Sequence, residues 1–282
     1  MQDIWIPTDH GALHAMVAPA ASPKSWLVLW PSLGGTAEQF LHLLTEGRSW
    51  GINLLAVDPP GHGRTPALPV PWAWPTVDGV WRILLDYAEA HGATTIAVGG
   101  HSFGAYAALL GTLHEPRASA YVLLDGGYLD PYPVYDRPLI KEAVSRYLAS
   151  RRFPSWKAFW DAERQESNHW DDVAQAALTA TMYEAHGVIQ PIVSVETAMA
   201  VSDLLSQYHV RDLPLDDRPA LLLMAGEPAS LLPSREKAAM AFGGHRPHTT
   251  VRIVPGSGHD MLLDNPAFVL EAIRRFLAPE HG

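Results

Sequence analysis

Six short, continuously apolar runs, set between longer stretches of helical periodicity, constrain this chain more than any other feature. Residues 26–30, 53–57, 95–99, 120–124, 220–224 and 250–254 show no polar alternation. Each therefore reads as a strand covered on both faces, which is the signature of a mostly parallel sheet. Between them, residues 36–49, 77–91, 103–114, 234–242 and 266–277 carry helical spacing. The last is the clearest, with Phe268, Ile273, Phe276 and Leu277 on one face and Asn265-Pro266 supplying a cap and a first-turn proline. Two stretches near the start, 4–6 and 13–17, read as an antiparallel pair that extends the sheet to eight strands.

The rhythm stops between Gly126 and Pro219, where helical patterns continue without a convincing buried strand. The expected organisation is an α/β core formed by residues 1–127 and 216–282, with residues 128–215 inserted as a helical cap. A chain of 282 residues suits one such core with an insertion. Ligands of open α/β sheets bind beyond the carboxyl ends of the strands, so a cap there shapes a pocket. Trp156 and Trp160, four residues apart, read as an inward packing face of cap helices rather than as a ligand site.

Composition removes several function classes. Lys plus Arg number 20 against 30 Asp plus Glu, a formal charge of −10, so binding nucleic acid through phosphate neutralisation would work against the protein's own field. With no cysteine, disulfides, thiolate nucleophiles, iron–sulfur clusters and cysteine zinc sites are excluded. No apolar run approaches the ~20 residues of a spanning helix, and the first residues lack the basic and apolar regions of a secretory signal. A cytoplasmic protein without membrane insertion is expected. No spaced metal-ligand motif appears, and neither metal nor cofactor is expected.

Gly100-His101-Ser102-Phe103-Gly104 follows one apolar run directly and opens a helical one. This is G-x-S-x-G in a strand–turn–helix setting, where glycines permit a tight turn and close helix–strand approach while the serine stands at a helix N-terminus. Ser102 is thus a nucleophile candidate. A serine hydroxyl needs a base to take its proton. Among 14 histidines, His259 is best placed, in the loop between the last strand and the last helix. The orienting acid has two candidates: Asp125, at the end of the strand after the nucleophile helix, and Glu227, after the strand at 220–224.

Taken together, Leu33-Gly34-Gly35, Asp58-Pro59-Pro60-Gly61-His62-Gly63-Arg64, the Ser102 pentapeptide and Gly258-His259 resemble the α/β-hydrolase superfamily over nearly the whole chain. The resemblance implies a serine hydrolase or esterase-like member with a cap domain. It makes Asp58 and His62 loop-shaping residues. It also bears on the acid: family members commonly carry an Asp three residues beyond the glycine that closes the strand at 220–224, where this chain has Ala229, whereas some relatives use the position of Asp125. Asp125 is therefore preferred, with Glu227 as the alternative. Where the family often has His-Gly before the oxyanion loop, this chain has Pro31-Ser32. The backbone N–H groups of Leu33 and Phe103 are the implied oxyanion donors, and neither depends on a particular side chain.

The expected activity is hydrolysis of a small-molecule carboxylic ester or lactone, hydrophobic or amphiphilic, through an acyl-enzyme. Amide or C–C bond cleavage or acyl transfer by the same residues, or a receptor that has lost turnover, are the alternatives. Trp30, Ser32 and His101 are weaker candidates for the substrate pocket.

Overall fold

The computed structural model describes residues 1–20 and 24–278. The chain begins with β1 (Gln2–Thr8), β2 (Gly11–Ala18) and β3 (Ser25–Trp30), then α1 (Leu41–Glu46), β4 (Asn53–Val57), α2 (Trp74–Ala90), β5 (Thr95–His101), α3 (Phe103–Gly111) and β6 (Ala118–Leu124). The central region holds α4 (Arg137–Ser150), α5 (Trp156–Glu166), α6 (Asp172–Thr179), β7 (Met182–Ala185), β8 (Val188–Pro191) and α7 (Val195–Leu205). The chain returns to the sheet with β9 (Ala220–Ala225), α8 (Leu232–Gly243), β10 (Thr249–Val254), α9 (Met261–Asp264) and α10 (Pro266–Leu277).

Eight strands form one sheet in the order β1-β2-β4-β3-β5-β6-β9-β10. Only β2 runs against its neighbours; the pairs from β4 to β10 are parallel. Strand pleating sends successive side chains to opposite faces, and β3 shows the result. Trp26, Val28 and Trp30 join a core containing Trp81 and Leu84 of α2, Leu109 of α3 and Phe242 of α8. Leu27 and Leu29 join the other core, with Leu43 and Leu44 of α1 and Val269 and Ile273 of α10. Both faces are covered, which is why the central strands lack polar alternation.

At β10 the reading from sequence needs correction. It is the last strand of the order, and Thr250, Val251, Arg252 and Ile253 are all exposed, so it is not covered on both faces. Residues 128–215 are also not helical throughout, because β7 and β8 pair as an antiparallel hairpin. Its two-residue turn, His186-Gly187, has positive φ at both positions, the backbone demanded by the tight primed hairpin turns. Each strand has only four residues, too few for a period-two pattern to show.

The four helices of this region start at side chains suited to capping: Asp136, Ser155, Asp171 and Ser194 accept from the backbone N–H of Leu139, Ala158, Ala174 and Thr197. A small apolar cluster of Phe159, Met182 and Ile189 holds α5 to the hairpin, and Trp156 and Trp160 stack beside it at 6.0 Å. By contrast, α7 sends Val201 and Leu204 into the main core. Among the described residues no helix is long and apolar enough to cross a membrane.

Glycine at the β5–α3 turn is a steric necessity. A Cβ on Gly104 would lie 1.9 Å from the Trp30 carbonyl oxygen, and one on Gly100 would lie 2.4 Å from the same atom. Both contacts are with backbone, which cannot swing away. Gly104→Ala is therefore expected to destabilise the fold by about 3 kcal/mol, at the upper end of overpacking effects. The midpoint of denaturant unfolding measures it; a change below about 0.5 kcal/mol would show that β3 and α3 can separate freely.

Candidate active site

Parallel strands place their carboxyl ends along one edge of a sheet, and the residues of interest leave the sheet there. Ser102 follows β5 and precedes α3 with φ 53° and ψ −118°, a conformation that non-glycine residues seldom adopt and that the surrounding packing must enforce. Asp125 follows β6, also at positive φ (41°), and its backbone N–H bonds the Leu223 carbonyl of β9 at 2.8 Å. His259 stands in the loop between β10 and α9.

These three side chains meet. Ser102 Oγ lies 2.9 Å from His259 Nε2, and His259 Nδ1 lies 2.7 Å from Asp125 Oδ2. The tautomer consistent with both contacts has Nδ1–H donating to the carboxylate, which leaves Nε2 to accept from the hydroxyl. The other Asp125 oxygen, Oδ1, accepts from the Ala225 N–H and the Tyr128 hydroxyl, both at 3.1 Å. Asp125 is buried and His259 is half-exposed. Glu227 does not join them; it is exposed, and its carboxylate accepts from the Ala229 N–H two residues on.

The electrostatics follow from this arrangement. Burial by itself would raise the Asp125 pKa, but hydrogen bonds from His259 and the Ala225 N–H, together with the charge on His259, hold it below the ordinary carboxylate value. For His259, burial pulls the pKa down, yet the hydrogen bond and charge of Asp125, with a contribution from Asp260, carry it above the ordinary 6.5.

Leu33 and Phe103 stand where their backbone N–H groups are free. Phe103 is the first residue of α3, and its N–H has no intrahelical acceptor. Among the described residues, that of Leu33 likewise has none. Ser32 and Leu33 line a cavity of about 490 Å³, joined on the core side by Gln39 and Asp260. Tyr132, Val144, Leu148 and Met182 cover it from residues 128–215, and Arg151 and Glu163 pair on its wall. Burial raises the Glu163 pKa despite that partner.

Trp30 and His101, the other pocket candidates, are buried and are not among the residues that line this cavity, nor are Ser102 and His259. Trp30, 1% exposed, packs at 5.6 Å from Trp81 and at 6.3 Å from Phe103 inside the core. His101 is equally buried and uses both ring nitrogens: the Gln39 side-chain amide donates to Nδ1 (2.9 Å), while Nε2–H donates to the His259 carbonyl (2.7 Å). Burial keeps its pKa low, with the neighbouring His259 adding to the effect.

Gln39 was invisible from sequence. Its Oε1 accepts from the Ser32 N–H (2.9 Å), and its amide also donates to Ser32 Oγ (3.2 Å). Through Gln39 and His101 the loop carrying Leu33 is tied to the loop carrying His259. No spacing rule connects positions 32, 39, 101 and 259.

Asp58, fully buried, accepts from the backbone N–H groups of Ala37 and Arg64 and from His14 Nδ1. His62 Nδ1–H donates to the Pro60 carbonyl at 3.0 Å. Both shape their loop and stand apart from the Ser102 cluster.

A profile of the alpha/beta hydrolase family matches residues 27–272. No curated protein sequence matches the chain. Similar solved structures include E-2-(acetamidomethylene)succinate hydrolase, 19% identical over 98% of each chain with a TM-score of 0.75. An esterase of M. tuberculosis is 21% identical over 98% of this chain and 91% of that one, with a TM-score of 0.71. An esterase from Exiguobacterium antarcticum is 15% identical over 98% of this chain and 99% of that one, also with a TM-score of 0.71. At these identities the likeness is one of fold.

Proposed function

Because the chain belongs to the alpha/beta hydrolase family, we propose that it is a serine hydrolase that cleaves carboxylic esters or lactones through an acyl-enzyme. The observation that carries this reading is the unbroken set of contacts from Ser102 Oγ through His259 to Asp125. Ser102 Oγ attacks the carbonyl carbon as His259 Nε2 takes its proton, and the Asp125 carboxylate stabilises the imidazolium that forms. The Leu33 and Phe103 N–H groups receive the oxyanion. Collapse of the tetrahedral intermediate expels the alcohol, protonated by His259. Water, deprotonated by His259, then releases the acid and restores Ser102. In a lactone the alcohol and the acid leave as one molecule.

The cavity supports a substrate class. About 490 Å³ lies in the usual range for small-molecule sites, and its largely apolar wall suits a hydrophobic or amphiphilic acyl group. Residues 128–215, which supply most of that wall, act as the cap in this reading. The esterases of similar fold agree with it.

The test is a panel of ester and lactone substrates with kcat/KM measured against pH. His259 must be neutral to accept the proton, and its pKa is raised. Activity is therefore expected to fall as pH drops through an acid limb centred above 6.5, since kcat/KM reports the free enzyme. Absence of hydrolysis across the panel, or a flat profile between pH 5 and pH 8, would contradict the reading.

A further inference from the structure

We propose that His42, His169 and Asp171 form a zinc site that clamps residues 128–215 to the core, independent of the role assigned to Ser102. One donor atom of each lies within 4.8 Å of the others. His42 is in the first turn of α1, on the core; His169 and Asp171 lie in the segment between α5 and α6.

The disposition of Asp171 is the first argument. Its Oδ1 accepts from the Ala174 N–H at 2.7 Å and caps α6, which fixes the carboxylate and turns Oδ2 toward both imidazoles. Oδ2 lies 3.1 Å from His169 Nε2 and 3.5 Å from His42 Nε2. Zinc bonds of ~2.0–2.1 Å at tetrahedral angles place neighbouring donors ~3.3 Å apart, so both separations already suit a shared ion. The remaining His42–His169 edge closes by rotation of His169, whose side chain is 44% exposed.

The second argument is His42 itself. Its Nε2 is buried and makes no hydrogen bond among the described residues, its contact with Asp171 Oδ2 being long at 3.5 Å, and a buried polar nitrogen so weakly partnered is costly. A metal ion satisfies it. Two borderline imidazole nitrogens beside one carboxylate oxygen suit zinc or its neighbours rather than magnesium or calcium, which take all-oxygen sets. The backbone bond to Asp171 Oδ1 supplies the outer hydrogen bond that ligating carboxylates usually have. Three protein donors leave one tetrahedral position for water. No spaced motif announces this trio in the sequence, because it joins distant stretches of chain.

Isothermal titration of chelator-treated full-length protein with zinc chloride tests the site. One equivalent is expected to bind with micromolar affinity and to raise the thermal unfolding temperature. His169→Ala and Asp171→Asn should each weaken binding at least tenfold and abolish the thermal shift. Neither should change unfolding without zinc, because His169 is exposed and Asn at 171 keeps a capping oxygen. His259→Ala should bind zinc as wild type does, which separates this site from the Ser102 cluster. No saturable binding by the wild type, undiminished binding by His169→Ala, or loss of binding in His259→Ala would each overturn the assignment.

Discussion

Ser102→Ala is expected to lower kcat for the best ester substrate by at least ~10⁴-fold, the order seen when the nucleophile of a serine triad is removed. The folded state should be left nearly as stable as before. Alanine keeps the Cβ and the same unfavourable backbone at φ 53°, so the turn pays no new strain. The hydroxyl's one hydrogen bond, to half-exposed His259, is worth only about 1 kcal/mol. Loss of turnover together with an unfolding midpoint within about 1 kcal/mol of wild type separates a chemical role from a structural one. A variant retaining more than a tenth of wild-type kcat would remove Ser102 from the mechanism.

Asp125→Asn is expected to cost ~10³–10⁴-fold in kcat, and Glu227→Gln less than about threefold. The first change leaves the shape of the side chain intact and removes its charge. An amide facing His259 Nδ1 either donates to it, favouring the tautomer with the proton on Nε2, or accepts without stabilising the imidazolium. Either outcome disables the base. The His259 pKa should fall as well, because Asp125 is what raises it, so any residual activity should show its acid limb at lower pH than wild type. Glu227 bonds its own loop and is solvated, so its charge has no path to the imidazole. Steady-state kinetics on both variants measure this; a larger loss from Glu227→Gln would reverse the assignment of the acid.

Much of the sheet was legible because burial on both faces leaves a local record. The strands β3, β4, β5, β6 and β9 are short apolar runs, and α10 announces its start through Asn265, whose side chain accepts from the Phe268 N–H. Ser102, Asp125 and His259 were legible as neighbours because each follows a strand of one parallel sheet, whose carboxyl ends share an edge. What escaped the sequence was set by tertiary neighbours. Val251 and Ile253 have the composition of a buried strand but lie on an edge. His101 stands beside Ser102, yet its ring turns inward to Gln39 and the His259 carbonyl. Trp30 lies just before the loop that carries Leu33, but pleating sends it into the core with Trp81. Gln39, His42 and Asp171 owe their positions to partners far away in the chain, where no periodicity could reveal them.

The account depends on Ser102 Oγ being a covalent nucleophile. Treating the wild type with a fluorophosphonate and locating the added mass by peptide mapping tests this most directly. A single adduct on Ser102, absent from the Ser102→Ala variant and slowed in Asp125→Asn, is the predicted result. An unmodified protein after prolonged exposure, or an adduct on any other residue, would contradict it.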